Sequence, residues 1–213
     1  LVIQRELYMS RIRPFIGSDL IKVLTGIRRS GKSVMLDLIK EELLAKGVGE
    51  NQLFSYNFEN MRFTHLCTAA ALHQEIIERT SGTEGKVYLF FDEIQEVADW
   101  EKCVNSFRVE LDCDIYITGS NAKLLSGELA TYLAGRYVEF VIYPFSFAEF
   151  TDLYQSIFPG ASKPQCFTKY LTAGGMPYLS CLRFEEEPSQ QYLEGLYHSV
   201  VLKDIVKRNN VRD

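Results

Sequence analysis

Apolar residues in the first two-thirds of the chain follow two alternating patterns. Short apolar runs of strand length occur at residues 20–26, 53–57, 86–92, 115–119 and 137–143. Between these runs, apolar residues recur at helical spacing over residues 32–46, 69–79, 100–111 and 124–133. We expect Asp99 to cap the third of these helices. Alternating strands and helices predict an α/β fold in which a parallel sheet is covered by helices on both faces.

The strand pattern stops near Pro144, and only helical spacing follows. It covers residues 145–157, 164–173 and 189–208. The predicted domains are therefore a core over residues 1–144, a helical lid region over 145–187 and a further segment over 188–213. Because the chain starts at Leu1 without a methionine and stops in a charged helical pattern, we interpret the last segment as the start of a truncated C-terminal domain.

Composition narrows the class of protein. The chain has 46% hydrophobic and 24% charged residues, and its apolar stretches fall well short of the roughly 18 residues of a membrane helix. Five scattered cysteines without a C-x-x-C pair predict reduced thiols in a cytoplasmic protein, and the three scattered histidines offer no zinc site. The net charge of −5 argues against nucleic-acid binding over the whole surface but allows a local patch.

The segment from Gly26 to Ser33 (GIRRSGKS) matches the pattern G-x-x-x-x-G-K-[ST] between a predicted strand and a predicted helix. Glycines let the backbone curl so that its N–H groups point inward, and the following helix directs its positive dipole end to the same place. Lys32 would reach the β- and γ-phosphates and Ser33 would bind Mg²⁺. The predicted ligands are ATP or ADP with Mg²⁺, and the candidate nucleotide-binding residues are Gly26, Arg28, Arg29, Ser30, Gly31, Lys32, Ser33 and Val34.

The roles of the two loop arginines stay open at this stage. Arg28 and Arg29 lie between the two glycines of the phosphate loop. Their side chains fit three interpretations equally: contact with a phosphate, contact with a partner subunit, or exposure to solvent.

An acidic pair, Asp92-Glu93, ends the buried apolar run that follows the loop by about sixty residues. Asp92 is placed to hold Mg²⁺ through water, and Glu93 to act as the general base that polarises the attacking water. The alternative is two solvated carboxylates at a strand end.

Two further polar positions are candidates for catalysis. Asn121, or its neighbour Ser120, follows the next strand, where it could bond the γ-phosphate or the water. A loop-capping role is the alternative for Asn121. Arg136 directly precedes the fifth strand and could meet a neighbour's γ-phosphate or its own, with a surface salt bridge as the alternative.

These residues together resemble an AAA+-type ATPase, and more narrowly the prokaryotic predicted AAA+ superfamily ATPases. The likeness rests on the phosphate loop, Asp92-Glu93, the polar strand end at 120–121 and Arg136. It extends to FFDEIQEVADWE, ITGSNAKLLSGELATYLAGR, YPFSFAEF and the Gly174-Gly175-Met176-Pro177 turn. The resemblance implies a five-stranded sheet of order 5-1-4-3-2, a small helical lid, Pro177 against adenine, and a C-terminal domain of unknown function.

Other P-loop classes fit the sequence less well. LSGE at residues 125–128 is similar to the ABC transporter signature, but it lacks the second glycine and follows Asp92 instead of preceding it. Guanine-selective proteins need N-K-x-D, and NAKL at 121–124 does not match. A small-molecule kinase would need an acceptor pocket, which the sequence does not identify.

Two functions from different classes remain. The first is an Mg-dependent ATPase that couples hydrolysis to an unknown protein partner, which Glu93 favours. A homo-oligomer is a candidate assembly for this function. The second is a slow nucleotide switch of the STAND type that signals through the C-terminal domain, which the GG-x-P turn favours. A role on DNA is a weaker third, because the basic cluster near residues 207–208 is small.

Overall fold

The structure is a computed structural model that describes residues 2–119, 133 and 135–200. Within these ranges, the strands are β1 (Ile21–Thr25), β2 (Leu53–Asn57), β3 (Val87–Asp92), β4 (Cys113–Thr118) and β5 (Tyr137–Val141). The α-helices are α1 (Glu6–Ile12), α2 (Lys32–Ala45), α3 (Ala69–Thr80), α4 (Trp100–Glu110), α5 (Phe147–Ile157), α6 (Lys163–Ala173) and α7 (Glu186–Val200). Single 3-10 turns cover Arg13–Phe15, Glu50–Gln52, Met61–Leu66, Ile94–Glu96 and Pro177–Ser180.

The five strands form one parallel sheet of order β2-β3-β4-β1-β5. This is the predicted order 5-1-4-3-2 read from the opposite edge, so the predicted fold class is confirmed. The register pairs Asn57 with Asp92 and Thr25 with Val141. Because every strand runs in the same direction, the residues that end the strands lie along one edge of the sheet.

The central strands are buried along their whole length, which explains their unbroken apolar runs. Every residue of β1 and β4 is buried, and five of the six residues of β3 are buried as well. Parallel sheets covered by helices on both faces need such continuous hydrophobic strands. One face packs on α3 and α4 through a core that includes Leu72, Ile76, Val104 and Phe107.

An ion pair lies inside the sheet, where the sequence pattern predicted only apolar packing. Lys22 on β1 and Asp114 on β4 are both fully buried and bond to each other directly. The Asp114 carboxylate also accepts hydrogen bonds from the Tyr116 hydroxyl at 2.8 Å and the Gly17 amide at 2.7 Å. Burial lowers the pKa of the Lys22 amine, and the Asp114 carboxylate opposes that shift. The pair is therefore a structural element of the sheet.

The chain divides into two compact units. One unit contains Glu6–Gly26 and Lys32–Val141, and so holds the whole sheet with α1 to α4. The other contains Leu1–Arg5, Ile27–Gly31 and Ile142–Asp213, and so holds α5 to α7 together with part of the phosphate loop. The predicted domain boundaries at residues 144 and 187 stay predictions.

The helical unit has its own apolar core and well-capped helices. Phe150, Leu179 and Phe184 are buried at its centre. The α5 helix begins with a capping box, in which Ser146 and Glu149 exchange hydrogen bonds between side chain and backbone. The signal for this helix start is the S-x-x-E spacing.

The predicted cap at Asp99 is wrong. Asp99 precedes α4, but its backbone is left-handed (φ 57°, ψ 28°) and its side chain accepts no capping hydrogen bond from the backbone amides of the helix. An N-cap residue normally has extended backbone angles, which direct its side-chain oxygen at the first free amides. The Asp99 carboxylate instead pairs with the Lys102 amine at 2.9 Å.

Two predicted helices lie wholly or partly outside the described residues. Of the helix predicted over 124–133 only Leu133 is described, and the end of the helix predicted over 189–208 is not described. The sequence pattern also gave no sign of α1. All five cysteines are free thiols. Among the described residues, no helix is long and apolar enough to cross a membrane.

The buried ion pair gives a prediction about stability. Asp114→Asn keeps an acceptor for Tyr116 and Gly17 but leaves the Lys22 ammonium without a countercharge. We expect the free energy of unfolding, measured by urea denaturation, to fall by about 3–5 kcal/mol. Adding Lys22→Met to Asp114→Asn removes the buried charge and should recover most of the loss.

The exposed Asp99–Lys102 ion pair provides the matched control, because Asp99→Asn makes the same chemical change in solvent. This variant should lose no more than about 1 kcal/mol. If Asp114→Asn and Asp99→Asn lower the free energy of unfolding by the same amount, the buried ion pair contributes no more to stability than the exposed one.

Candidate nucleotide-binding site

The phosphate loop follows β1 directly and leads into α2. Gly26 has φ 142° and Gly31 has φ 99°, both in regions that favour glycine. Arg29 has a left-handed backbone with φ 63°, which is uncommon for a residue with a side chain. Three positive φ angles within six residues give the loop the kind of curled backbone that can present successive N–H groups to an anion.

Lys32 is the first residue of α2 and its side chain is buried. Its ammonium nitrogen donates a hydrogen bond to the Gly26 carbonyl oxygen at 3.3 Å. The lysine thus folds back over the start of the loop instead of extending into solvent. Ser33 and Val34 follow in the first turn of α2, and both side chains are exposed.

Three strand ends converge on the carboxylate of Asp92. Asp92 ends β3 and is buried. The Thr118 hydroxyl, at the end of β4, donates to one carboxylate oxygen. The Asn57 amide, at the end of β2, donates to the other at 3.0 Å. Asp92 is therefore held in a fixed orientation by side chains from both neighbouring strands.

Glu93 adopts a left-handed conformation (φ 53°, ψ 47°) directly after β3. Its backbone N–H donates to the Thr118 hydroxyl oxygen at 3.0 Å, and its carboxylate accepts a hydrogen bond from the Gln95 amide. Because of this turn, the side chains of the neighbouring residues Asp92 and Glu93 point in different directions. Thr118 contacts both of them and so links their positions.

Sequence reasoning missed Asn57, Gln95 and Thr118. Asn57 is the last residue of a predicted strand and Thr118 the last but one, and each ends its observed strand; a polar residue at such a strand end is the signal that could have identified them. A polar side chain at that position lies on the edge of the sheet where the strands end. Gln95 carried no comparable signal, because its contact with Glu93 depends on a left-handed residue.

Asp92 and Ser33 fit a magnesium site by their chemistry. Mg²⁺ prefers oxygen ligands and retains several of its waters in proteins. Each oxygen of the Asp92 carboxylate accepts one hydrogen bond from Asn57 or Thr118, which leaves capacity for a metal-bound water. When bound, the ion would neutralise charge on the β- and γ-phosphates. No group of three or more histidine, cysteine or acidic residues forms a metal site among the described residues.

In the helical unit, Arg29 lies against two tyrosines. Its guanidinium carbon is 5.8 Å from the ring centres of both Tyr178 and Tyr192, and the two rings are 4.9 Å apart. Burial raises the pKa of the Tyr192 hydroxyl, and the nearby Arg29 opposes that shift. Arg29 is exposed, which was one of its three sequence interpretations, and it also contacts aromatic side chains, which none of them included. Arg28 is exposed.

The Gly174–Pro177 turn depends on its two glycines. Gly174 has φ 76°, and a β-carbon at Gly175 would lie 2.2 Å from the Phe145 carbonyl oxygen. The Phe145 amide donates to the Gly175 carbonyl at 2.7 Å, so the two backbones are in direct contact. Pro177 then begins a 3-10 turn and is half-buried. Its contact with adenine stays a prediction.

Arg136 lies at the edge of the sheet where the strands begin. Its carbonyl accepts a hydrogen bond from the amide of Ile21, the first residue of β1. Its exposed side chain donates to the Asn105 side-chain oxygen at 2.8 Å, and no ion pair of Arg136 occurs among the described residues. Asp92 and Gly26 lie at the opposite edge. Asn121, the other predicted catalytic residue, lies outside the described residues.

Comparison with known proteins identifies the family. A family model described as an AAA domain matches residues 18–151, which is more than half of the chain. The chain belongs to this AAA domain family. The matched range includes the phosphate loop, the Asp92-Glu93 pair and all five strands.

Two curated relatives cover this AAA domain chain almost completely. An uncharacterized protein of Haemophilus influenzae is 40% identical over 212 residues, which are 100% of this chain and 52% of the relative. Uncharacterized protein MJ1544 of Methanocaldococcus jannaschii is 29% identical over 203 residues, which are 91% of this chain and 43% of the relative. The chain therefore spans about half the length of the curated relatives it matches.

Solved structures show the same fold at low sequence identity. PCH-2 of C. elegans has a TM-score of 0.58 at 13% identity and covers 92% of this chain and 68% of its own. AMPPCP-bound DnaA of Aquifex aeolicus has a TM-score of 0.51 at 12% identity, with coverage of 99% and 65%. The Aeropyrum pernix ORC1 protein in complex with DNA has a TM-score of 0.53 at 12% identity, with coverage of 94% and 67%.

The family and the fold together confirm that the AAA domain described here is an AAA+ P-loop ATPase-like protein. They support the general class of nucleotide-binding ATPases.

Proposed function

We propose that this chain binds Mg-ATP through residues 26–33 and hydrolyses it to ADP and phosphate. The observation that carries the proposal is the convergence of Asn57 and Thr118 on Asp92, directly before Glu93. This convergence lies at the edge of the sheet where β1 ends and the phosphate loop begins. Two carboxylates fixed at that edge are the arrangement that phosphoryl transfer to water needs.

Different residues of the chain would bind the phosphates, hold Mg²⁺ and activate the attacking water. The backbone of the loop and the Lys32 ammonium bind the phosphates, with Arg28 and Arg29 as further candidates for phosphate contacts. Ser33 and Asp92 would hold Mg²⁺, the latter through water. Glu93 would take the proton from the attacking water. Asn121 would orient the water or the γ-phosphate, and Pro177 would pack against adenine.

A second candidate function is a slow nucleotide switch. Two contacts favour it: the Glu93 carboxylate is bonded to Gln95, and the Arg29 guanidinium lies against the rings of both Tyr178 and Tyr192. A general base and a loop arginine that are both engaged elsewhere must be released before they act. Such a protein would bind ATP tightly, hydrolyse it rarely and signal through a region beyond this chain.

We propose that the partner of either activity is another protein. Binding to DNA has less support, because the net charge is −5 and the basic cluster at residues 207–208 is small. The ORC1 structure does contain DNA, but its 12% identity to this chain does not extend that property here. The exposed side chain of Arg136 supports assembly into a homo-oligomer.

The first test measures nucleotide binding. Lys32→Ala removes the ammonium group that would contact the β- and γ-phosphates, so affinity for Mg-ADP should fall about tenfold to a hundredfold. Isothermal titration calorimetry measures the dissociation constant. Lys46→Ala, at the other end of α2, removes an exposed lysine paired with Glu42 and should leave affinity unchanged. Equal affinities for Lys32→Ala and the parent protein would refute the loop assignment.

The second test separates binding from hydrolysis. Glu93→Gln should keep the affinity for ATP and lower steady-state turnover by about 10²–10⁴ if Glu93 is the general base. Asp92→Ala should instead remove the dependence of binding on magnesium. Glu96→Gln, an exposed acid three residues further on, is the matched control. If Glu93→Gln hydrolyses ATP as fast as the parent protein, the slow switch becomes the favoured function.

The third test concerns Arg136. Because Arg136 and Asp92 lie at opposite edges of the sheet, we expect Arg136 to act on the site of a neighbouring chain. Its guanidinium would stabilise charge on the γ-phosphate, an effect worth about 10³–10⁵ in rate. Turnover per chain should therefore rise with protein concentration, and mixing inactive Arg136→Ala with inactive Lys32→Ala chains should restore activity.

Arg108→Ala is the control for this experiment. Arg108 contacts the same Asn105 side chain, at 3.5 Å, and also bonds to Asp19. Its removal should leave turnover unchanged. A mixture of Arg136→Ala and Lys32→Ala that stays inactive would exclude action between chains.

A further inference from the structure

Arg5 is buried in the helical unit and donates hydrogen bonds to three separate acceptors. Only 1% of its side chain is exposed. Its Nε bonds to the Glu149 carboxylate at 3.0 Å, its Nη1 to the Ser30 carbonyl at 2.9 Å, and its Nη2 to the Tyr143 carbonyl at 2.8 Å. The guanidinium therefore joins the phosphate loop, the segment before α5 and α5 itself.

The Arg5 backbone is left-handed, with φ 49°. This conformation is costly for a residue with a side chain and persists only when its surroundings determine it. The three hydrogen bonds and the contact with the Phe145 ring, 5.1 Å from the guanidinium carbon, provide such surroundings. The side chain is held in place more strongly than an ordinary surface arginine.

Glu149 anchors the other end of this arrangement. Its second carboxylate oxygen accepts hydrogen bonds from the Ser146 amide at 2.8 Å and the Ser146 hydroxyl at 2.9 Å. Burial opposes ionisation of Glu149, but the hydrogen bonds from Arg5 and Ser146 hold its pKa below the usual value. Arg5 is thus attached to the capping box that begins α5.

The contact with Ser30 determines the orientation of a loop peptide group. In a trans peptide, the carbonyl of Ser30 and the N–H of Gly31 point in opposite directions. By holding the Ser30 carbonyl, Arg5 makes the Gly31 N–H point in the opposite direction, away from the guanidinium. A β-carbon at Gly31 would lie 3.4 Å from Arg5 Nη1, so the guanidinium also packs against the next residue.

We propose that Arg5 is a positioning residue for the phosphate loop. It sets the direction in which loop N–H groups are presented, and it ties this geometry to the start of α5 through Glu149. An anion-binding loop needs its carbonyl groups turned away from the ligand. The inference rests on the proposed nucleotide function, and Arg5 itself acts through the backbone of residues 30–31.

Arginine is required for this role because its donors form a rigid planar fork. Five N–H groups in one plane reach acceptors in several fixed directions. A lysine at residue 5 would keep the positive charge beside Glu149, but its single ammonium could not hold the Ser30 and Tyr143 carbonyls in the same geometry. Arg5→Lys therefore tests positioning separately from charge.

The experiment compares Arg5→Lys with Arg13→Lys in the full-length protein. Arg13 is a partly exposed arginine that forms ion pairs with Glu6 and Glu42. Hydrogen–deuterium exchange without nucleotide should be faster over residues 27–31 in Arg5→Lys and unchanged in Arg13→Lys. The dissociation constant for Mg-ADP, measured by calorimetry below the unfolding temperature, should rise about tenfold in Arg5→Lys alone.

Each outcome decides the inference. Arg5→Lys could unfold at a lower temperature and still show the parent's exchange rate over residues 27–31 and a dissociation constant for Mg-ADP within twofold of the parent's. That result would give Arg5 a purely structural role and would overturn the proposal. If the parent itself binds no nucleotide, the proposed function fails, and exchange over 27–31 alone decides the role of Arg5. If Arg5→Lys does not fold, Glu149→Gln weakens the anchor and should show the same two changes at smaller size.

Discussion

Parallel pairing of the five strands is the constraint on which the candidate site depends. It brings the last residues of β2, β3, β4 and β1 to one edge of the sheet. Asn57, Asp92 and Thr118 are far apart in the chain, yet all three are hydrogen-bonded there. The phosphate loop begins at the same edge because β1 ends there. Because all strands run in the same direction, residues that no local sequence pattern connects therefore lie together at this edge.

Two turns in this protein depend on glycine for different reasons. In the phosphate loop, Gly31 has φ 99°, a backbone conformation that residues with a side chain rarely adopt. In the helical unit, Gly175 lies so close to the Phe145 carbonyl that any β-carbon would collide with it. Both turns belong to the unit that holds α5 to α7. The first glycine allows the positive φ that the loop adopts, and the second allows two segments of backbone to bond directly.

The two functional alternatives correspond to visible contacts. Turnover needs a Glu93 carboxylate that is available to water, whereas Gln95 bonds to it in this structure. A slow switch needs a loop that is linked to other parts of the molecule, and Arg29 and Arg5 both provide such links within the helical unit. The same side chains can serve both functions if release of these contacts accompanies nucleotide binding.

The sequence by itself determined the fold class and most element boundaries. Apolar runs marked all five strands to within two residues, and the G-x-x-x-x-G-K-S pattern fixed the loop between β1 and α2. These features are local, because they depend on the spacing and type of neighbouring residues. The strand order was also anticipated, through resemblance to a known family.

The tertiary structure alone decided which distant polar residues meet. The buried Lys22–Asp114 pair, the partners of Asp92 and the three contacts of Arg5 join residues between 25 and 144 positions apart. Asp99 shows the same limit at short range, since its left-handed backbone directs it to Lys102 and not to the helix amides. Side-chain partners depend on strand register and backbone angles, which only the folded chain specifies.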